Sequence, residues 1–461
     1  MERNAITQPH TPDLPRWRRI SYGFGDFGFN LYWSSASLFL LYFYTDVLGL
    51  PNQTAGFIFL IAMVWDGITD PIMGYIAERT RSRWGSYRPY ILLGAVPLAV
   101  TLVLMFSDPG TEGMALALYA GATHVLFRTI YTILSIPFSS LSARMTRSSE
   151  VRNELAAYRM VAATLGGLFV AFFTLRLVAW FGEGDAATGF YWTAMLYAAL
   201  SLPVFLFVFL TTREPEPPVD AETRPASLLD ALSTLKTNRP FLLVFGATML
   251  GMGGSVLTSK TLIYYYKYTL GDELASGTAL AVMTGGMALF VPIWALITAK
   301  TSKRFVWATG TAISIAVSLA LYFNPYETVP VVTVLFAIGA LGSAAGVLSF
   351  WSTLPDTVEF GQWRTGVRSE SLVFGLMSFA QKVSFGLAAA LLGILLDLVG
   401  YRANVEQSAE TMDGIKTIMT LLPALFGVCA FLLIRAYPID ARLHGRIGRV
   451  LERRERRASG A

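Results

Sequence analysis

Two carboxylates lie four residues apart inside an otherwise apolar stretch. Asp66 and Asp70 interrupt the run from Ala55 to Ala77, and residues four apart share one face of a helix. A charge at the centre of a bilayer costs at least about 2.5 kcal/mol, so acids at such a depth are typical of functional sites. Together they could bind a cation through oxygen ligands, or hold a proton because their titrations split. The alternative is a buried pair that closes a salt bridge between helices.

The composition is that of an integral membrane protein. Of 461 residues, 54% are hydrophobic and only 15% are charged, against about 25% charged in soluble domains. The net charge of +5 comes from arginines beside apolar spans, so it does not indicate nucleic-acid binding. The single cysteine, Cys429, excludes a disulfide framework within the chain.

Apolar runs of about 20 residues predict about twelve transmembrane helices and hence an all-α membrane fold. We expect them near 22–48, 55–77, 90–107, 114–142, 155–181, 188–211, 240–268, 275–299, 304–323, 328–350, 369–399 and 411–437. A polar interruption suggests a six-helix half at 1–211, a linker at 212–239, a second half at 240–440 and a basic tail at 441–461. Within the linker, Leu228–Leu235 is compatible with a short amphipathic helix.

Basic residues are concentrated in alternate loops, which predicts the orientation. The loops after the second, fourth and eighth spans and the tail are basic, whereas the opposite loops 49–53, 107–113, 182–185 and 324–329 contain no Lys or Arg. The basic loop residues include Arg79, Arg81, Arg83, Arg88, Arg144, Arg147, Arg152, Lys300, Lys303 and Arg304. The positive-inside rule then places both termini in the cytoplasm.

The segment 74–89, GYIAERTRSRWGSYRP, follows Asp66, Asp70 and Pro71. It resembles the glycoside–pentoside–hexuronide:cation symporter family of the major facilitator superfamily. Other similar segments are 22–26, 44–46, 131–132, 136–138, 356–370 and 404–408, so the resemblance spans the chain. It implies a major facilitator fold in two six-helix halves and transport by alternating access.

The resemblance also implies a cation site. Asp66 and Asp70 match the acids of that site, Thr132 matches a hydroxyl ligand, and Asn30 is a further candidate. Lys382 matches a lysine of the family and lies about 20 Å into its helix. A lysine at that depth must be paired, neutral or facing water, and a plain interhelical bridge is the alternative.

A sugar site is expected beside the acids. Arg159 matches a sugar-binding arginine of the family, although snorkelling to the interface is the alternative. Trp33 could stack on a sugar ring, and Asp26 lies one turn before Asn30. The candidates without charge are Asn30, Ser135 and Ser139. Because the melibiose permease branch has aspartates at the first two of these positions, their neutrality makes an anionic hexuronide a plausible substrate. For Asn30 and Ser135, hydrogen bonding to each other or to backbone groups is the alternative.

Three other intramembrane residues are ambiguous. Arg128 lies one turn before Thr132, where it could bridge the acids in place of sodium or turn toward another helix. Lys260 could serve gating or structural pairing. His124 is expected to be a packed residue rather than a proton relay.

The polar loops predict salt-bridge gates that lock an outward-facing state from the cytoplasm. Solvated loop charge is the alternative, because single surface pairs contribute only about 0–1 kcal/mol. The candidates are Arg79, Arg83, Arg88, Arg152, Asp356, Glu359 and Arg368.

The sequence therefore predicts a non-enzymatic symporter of the bacterial inner membrane, working as a monomer. It would couple uptake of a sugar or glycoside to a sodium or proton gradient, without a cofactor, a metal centre or a nucleic-acid partner. A lysolipid or amphiphile carrier and a non-transporting membrane sensor are the rival interpretations.

Overall fold

A computed structural model describes residues 14–146, 148–214, 238–366 and 370–458. The N-terminal half contains six long helices, and a short π-helix, Phe43–Val47, extends the first of them. These helices are α1 (Arg16–Tyr42), α2 (Asn52–Arg79), α3 (Arg88–Met105), α4 (Gly113–Met145), α5 (Ser149–Gly182) and α6 (Ala186–Thr211).

The second half repeats this plan. Its helices are α7 (Arg239–Tyr268), α8 (Glu273–Lys300), α9 (Lys303–Phe323), α10 (Val329–Thr365), α11 (Glu370–Leu398), α12 (Ala409–Met419) and α13 (Leu421–Arg435), followed by α14 (Ala441–Ala458). Each of the twelve predicted runs overlaps one of these helices, and the last run is divided near Thr420 into α12 and α13. Within the described residues, eleven helical segments are long and apolar enough to cross a membrane; α1, which is richer in polar residues, completes the twelve.

Local sequence signals set several helix ends. The Asp185 side chain accepts hydrogen bonds from Ala187 N and Thr188 N at the start of α6, and Asp272 and Ser302 cap α8 and α9 in the same way. Gly366, with φ of 79°, ends α10 in the left-handed conformation that glycine adopts without strain. These signals place the loops where the apolar runs stop.

The halves pack most closely through α2 and α11. Gly56 and Gly393 allow this approach, because an added Cβ would lie 2.7 Å from Ala389 O at Gly56 and 2.3 Å from Asn52 O at Gly393. We call the end of the bundle where α1 begins the terminal side, and the end where α2 begins the far side. These two glycine contacts lie near the far side, at the start of α2 and close to the end of α11.

A polar network joins the halves at the far side. Asp46 Oδ1 accepts hydrogen bonds from Lys267 Nζ at 3.0 Å, Tyr268 OH at 2.7 Å and Tyr401 OH at 2.8 Å. Asn404 Nδ2 donates to Asp46 O at 2.6 Å. Because Asp46 belongs to the N-terminal half and its partners to the C-terminal half, this far-side network holds that end of the molecule closed.

On the terminal side, ion pairs form within each half. Arg19 Nη1 lies 2.7 Å from Glu154 Oε2, and Lys303 Nζ lies 2.8 Å from Asp356 Oδ1. The predicted basic tail contains the helix α14, whose His444 Nε2 lies 3.0 Å from Glu359 Oε2. These three terminal-side pairs lie within single halves, unlike the contacts of the far-side network. The predicted Leu228–Leu235 helix lies outside the described residues, as do Arg147 and Arg368.

Candidate functional site

One face of α2 presents the two acids to α4. Asp66 is completely buried and Asp70 is half-buried. Thr132 Oγ1 of α4 lies 2.8 Å from Asp66 Oδ1 and 3.0 Å from Asp70 Oδ1. A hydroxyl has only one hydrogen to donate, so Thr132 bonds one carboxylate at a time. The predicted grouping of these three residues is present in the structure.

Lys382 of α11 completes this group from the other half. Its Nζ lies 2.8 Å from Asp66 Oδ2 and also contacts Asp70 Oδ2. The contact with Asp66 Oδ2 is an ion pair without an aligned hydrogen bond. An ammonium group therefore lies where a cation bound by both carboxylates would lie. We call Asp66, Asp70, Thr132 and Lys382 the acid–lysine cluster.

Arg128 does not take that position. It is completely buried, and its guanidinium carbon lies 4.8 Å from the centroid of the Trp33 ring. Its Nε donates to His124 Nε2 at 3.4 Å, whereas neither Nη1 nor Nη2 has a hydrogen-bond partner among the described residues. Of the two predicted alternatives, the structure shows the one in which Arg128 turns toward another helix. His124 is itself packed edge-on against Phe59, with centroids 4.8 Å apart.

A second polar group lies between α1, α4 and α5. Arg159 pairs with Asp26 through a short contact from Nε, and its Nη2 donates to Ser139 Oγ at 3.1 Å. Arg159 and Asp26 are half-buried, and Ser139 is exposed. Arg159 is therefore held inside the bundle by a carboxylate instead of snorkelling, and three predicted sugar-site residues are brought together.

The Asn30 side chain forms its hydrogen bonds within α1 in this structure. Its Nδ2 donates to Asp26 O at 2.9 Å, one turn back along α1, and its Oδ1 accepts from Ser34 Oγ at 3.5 Å. The role of Asn30 as a cation ligand stays a prediction; in this structure its amide is used within its own helix. Ser135 is half-buried on α4, between Thr132 and Ser139.

Trp33 lies between the two halves. Its ring centroid is 5.9 Å from that of Tyr131 in α4 and 6.1 Å from that of Phe385 in α11. The ring therefore contacts both halves and lies next to Arg128. Because Trp33 is partly exposed, its ring remains available for stacking on a ligand.

Lys260 of α7 also connects the halves. It is 3% exposed, and its Nζ donates to Ser37 O at 2.7 Å and lies 4.0 Å from the Phe59 ring centroid. These contacts reach from the C-terminal half to α1 and α2. They are compatible with both predicted roles, gating and structural pairing.

The predicted gate residues form contacts within their own halves in this state. Arg79 stacks on Tyr75, Arg83 stacks on Trp84, and Arg88 Nη2 donates to Phe209 O at 2.7 Å. Arg152 is exposed. Asp356 pairs with Lys303, and Glu359 pairs with His444. A lock in the outward-facing state stays a prediction, because the structure has the opposite side closed.

Sequence reasoning missed the far-side network as a functional unit. Its segments 44–46 and 404–408 were recognised only as similar to the family. A signal was available, since Asp46 and Lys267 are opposite charges at the ends of apolar runs on the same side. Their pairing could not be predicted, because 221 residues separate them.

Comparison with known proteins agrees with this architecture. Residues 21–441 match the family described as MFS/sugar transport protein. The chain is 31% identical to the isoprimeverose transporter of Lactiplantibacillus pentosus, covering 95% of this chain and 93% of that protein. It is 30% identical to the glucuronide carrier protein homolog of Escherichia coli, covering 92% and 93%.

A solved structure of the nucleoside transporter NupG superposes with a TM-score of 0.66, covering 92% of this chain and 100% of that one. At 14% identity, this likeness concerns the fold. The twelve spans in two halves confirm the predicted major facilitator architecture. The chain is a multi-pass membrane protein that belongs to the MFS/sugar transport protein family, the branch of the major facilitator superfamily identified from its loop after the second span.

Proposed function

We propose that the protein is a secondary active symporter that couples uptake of a sugar or glycoside to entry of a monovalent cation, sodium or a proton. The acid–lysine cluster carries this proposal. It holds two intramembrane carboxylates whose counter-charge comes from the opposite half of the molecule. The basic loops support a cytoplasmic terminal side, which makes the described state inward-facing.

Lys382 acts as an internal substitute for the coupling cation. When the carrier is empty, its ammonium offsets one of the two negative charges of the acids, which lowers the cost of crossing the membrane without a bound ion. A cation that arrives from outside competes for the same oxygens and displaces Lys382 from them. Since Lys382 belongs to α11 and the acids to α2, this displacement changes the contact between the halves.

Cation binding reaches the sugar site through α4. Thr132 contacts the acids, and Ser139 contacts Arg159 two turns further along the same helix. A shift of α4 when the cation binds therefore repositions the Ser139 hydroxyl and the Arg159 fork. The guanidinium can donate paired hydrogen bonds to vicinal hydroxyls or to a hexuronide carboxylate, and Trp33 supplies an apolar wall.

The energy comes from the gradient and the membrane potential. A potential of 100 mV contributes about 2.3 kcal/mol per charge, which corresponds to roughly 50-fold accumulation for one coupled cation. Proteoliposomes test this proposal. Uptake of radiolabelled sugars and uronides is compared with an imposed sodium gradient, with a pH gradient and with neither.

Gradient-dependent accumulation of at least one sugar or uronide is the expected result. A non-transporting sensor would show no uptake and no counterflow under any condition, and that outcome would overturn the proposal. An amphiphile carrier would move lysophospholipid but none of the sugars, which would overturn it equally.

A further inference from the structure

Two buried cations between the halves have no carboxylate partner in the described part of the chain. Arg128, in the middle of α4, is completely buried, and Lys260 of α7 is 3% exposed. Phe59 and His124 connect them. The Phe59 ring centroid lies 4.0 Å from Lys260 Nζ and 4.8 Å from the ring of His124, which accepts a hydrogen bond from Arg128. An aromatic face stabilises the charged form of an ammonium group, so both residues contribute positive charge at this depth.

The fixed charges in this region do not balance. The acid–lysine cluster contains two carboxylates and one ammonium group, whereas Arg128 and Lys260 add two positive charges. Arg159 and Asp26 pair with each other and leave the sum unchanged. One positive charge therefore remains without a counter-charge among the membrane-spanning helices, where an uncompensated charge is costly. A bound anion would remove this excess, whereas a bound cation increases it.

The unpaired groups at Arg128 are hydrogen-bond donors. Its Nε donates to His124 Nε2 at 3.4 Å, and this contact holds one side of the guanidinium group. Nη1 and Nη2 form the opposite edge and have no partner among the described residues. Since Nε2 of the neutral imidazole accepts this bond, the ring hydrogen lies on Nδ1, which is also unpaired within the same residues. A guanidinium edge with two free donors has the geometry to bind a single anion.

Access to this edge depends on the contact between the halves. In the described state, Nη1 and Nη2 are sealed from solvent. Lys260 Nζ donates to Ser37 O at 2.7 Å, about two turns inward from the far-side network. Lys260 belongs to the C-terminal half, whereas Phe59 and Arg128 belong to the N-terminal half. Opening of the far side would therefore carry Lys260 away from Phe59 and uncover the Arg128 edge.

We propose that a chloride ion enters from the far side and binds the Nη1–Nη2 edge of Arg128 in the outward-open state, with Lys260 as the second positive charge. The guanidinium carbon lies 4.8 Å from the Trp33 ring centroid and 5.6 Å from that of Phe127. These apolar surroundings favour a small monovalent anion, because sulfate or phosphate would bring a second negative charge that has no counter-charge there.

Chloride binding has two consequences for the carrier. It favours the outward-open state, because closure seals the edge that holds the ion. It also offsets the positive charge that an incoming cation meets, so it raises the affinity for the cation. The site is independent of the sugar, and only the identification of the far side as the outer side rests on the proposed function.

Binding of radiolabelled chloride to the purified full-length protein tests the inference. Specific binding is the part that excess choline chloride displaces and choline aspartate does not. We expect one saturable site in the wild type. Arg128→Gln should lower the chloride affinity at least tenfold, Lys260→Met should lower it several-fold, and Arg128→Lys should retain binding. The matched control is Arg159→Gln, which should bind chloride like the wild type, because the Arg159 guanidinium already has a carboxylate partner.

A second readout tests the route of access. Asp46→Asn weakens the far-side network, so the chloride affinity of this variant should rise at least threefold. Glu327→Gln removes a carboxylate on the same side but within the C-terminal half, and it should leave the affinity unchanged. Equal chloride affinity in Asp46→Asn and the wild type would overturn entry from the far side.

Three outcomes would overturn the anion site. They are the absence of saturable chloride binding, wild-type affinity in Arg128→Gln, and an equal loss of affinity in Arg159→Gln. If chloride did not bind while methyl β-glucuronide bound in an Arg128-dependent manner, the edge would belong to a substrate carboxylate, and the inference would fail as well. Gradient-driven sugar uptake without chloride binding would overturn this site alone, whereas chloride binding without uptake of any sugar would support it and contradict the symporter.

Discussion

Lys382 Nζ lies 2.8 Å from Asp66 Oδ2, and this ion pair joins the two halves of the transporter through the middle of the bundle. In the proposed mechanism this geometry gives the lysine a role in the transport cycle, because the coupling cation and the ammonium group would need the same oxygens. Breaking a buried pair by removing one partner typically costs about 3–5 kcal/mol. The proposal therefore predicts that the empty carrier depends on Lys382 and that the cation-loaded carrier does not.

Lys382→Met should separate exchange from net transport. The empty variant carries two acids without their lysine, so its return across the membrane becomes unfavourable, whereas the loaded form still crosses. We expect net uptake to fall at least tenfold while counterflow of labelled sugar persists. Proteoliposomes measure both, with Lys382→Arg as the charge-conserving control. Net uptake at the wild-type level in Lys382→Met would contradict the substitute-cation role.

Thr132→Val should weaken cation binding while keeping the shape of the side chain. The variant loses the hydroxyl that contacts both acids. One hydrogen bond to a charged group contributes about 1.5–3 kcal/mol, so the cation concentration for half-maximal uptake should rise about tenfold or more. Thr132→Ser should restore it. Equal defects in Thr132→Val and Thr132→Ser would contradict this role, because they would show that the methyl group matters instead of the hydroxyl.

Arg128→Gln should strengthen cation binding. Arg128 is completely buried and lies one turn before Thr132, whose hydroxyl contacts both acids. Removing its positive charge lowers the repulsion that an incoming cation meets. We expect the half-maximal cation concentration to fall about tenfold, with Arg128→Lys as the matched control. If Arg128→Gln weakened cation binding, Arg128 would be a support of the acids and not a competitor of the ion.

Loosening the far-side network should shift the carrier toward its outward-open state. Asp46→Asn removes the charge to which Lys267, Tyr268 and Tyr401 are directed. In a Cys429→Ser background, Ser37→Cys places a thiol at a position only 9% exposed, behind the network. Its labelling rate from the outside should rise several-fold.

The control for this experiment is Glu327→Gln. Glu327 pairs with Lys416 at 2.5 Å, on the same side but within the C-terminal half. Breaking that pair should leave the labelling rate unchanged. A rise of the same size in Glu327→Gln would mean that general loosening, and not opening between the halves, exposes the thiol.

The sequence predicted the helices and the acids more fully than their partners. Twelve apolar runs and the spacing of Asp66 and Asp70 depend on local pattern, and local pattern is readable from one chain. The neighbours of the acids depend on packing between distant helices. Thr132 and Lys382 came from the family resemblance, whereas the direction of Arg128 toward Trp33 was one of two open alternatives. The amide of Asn30 bonds its own helix, a choice that its position alone does not determine.

The far-side network and the glycines of the apolar spans show a different limit. Asp46 and Tyr401 lie 355 residues apart in the chain, and charge pattern alone does not select such a pair. A Cβ added at Gly251 or Gly346 would meet no atom within 4 Å, whereas one added at Gly56 would lie 2.7 Å from Ala389 O. In an apolar span, a glycine that leaves space cannot be distinguished by sequence from one that permits close helix packing, such as Gly56.

The most direct test is cation-driven sugar accumulation by Asp66→Asn and Asp70→Asn in proteoliposomes, beside the wild type. Each variant is purified and its size-exclusion profile is compared with that of the wild type, so that a loss of accumulation is not due to misfolding. The account predicts that the wild type concentrates its sugar when a sodium or pH gradient is imposed, and that neither variant responds to the gradient. Accumulation at the wild-type level in both variants would contradict the assignment of these carboxylates as the coupling site.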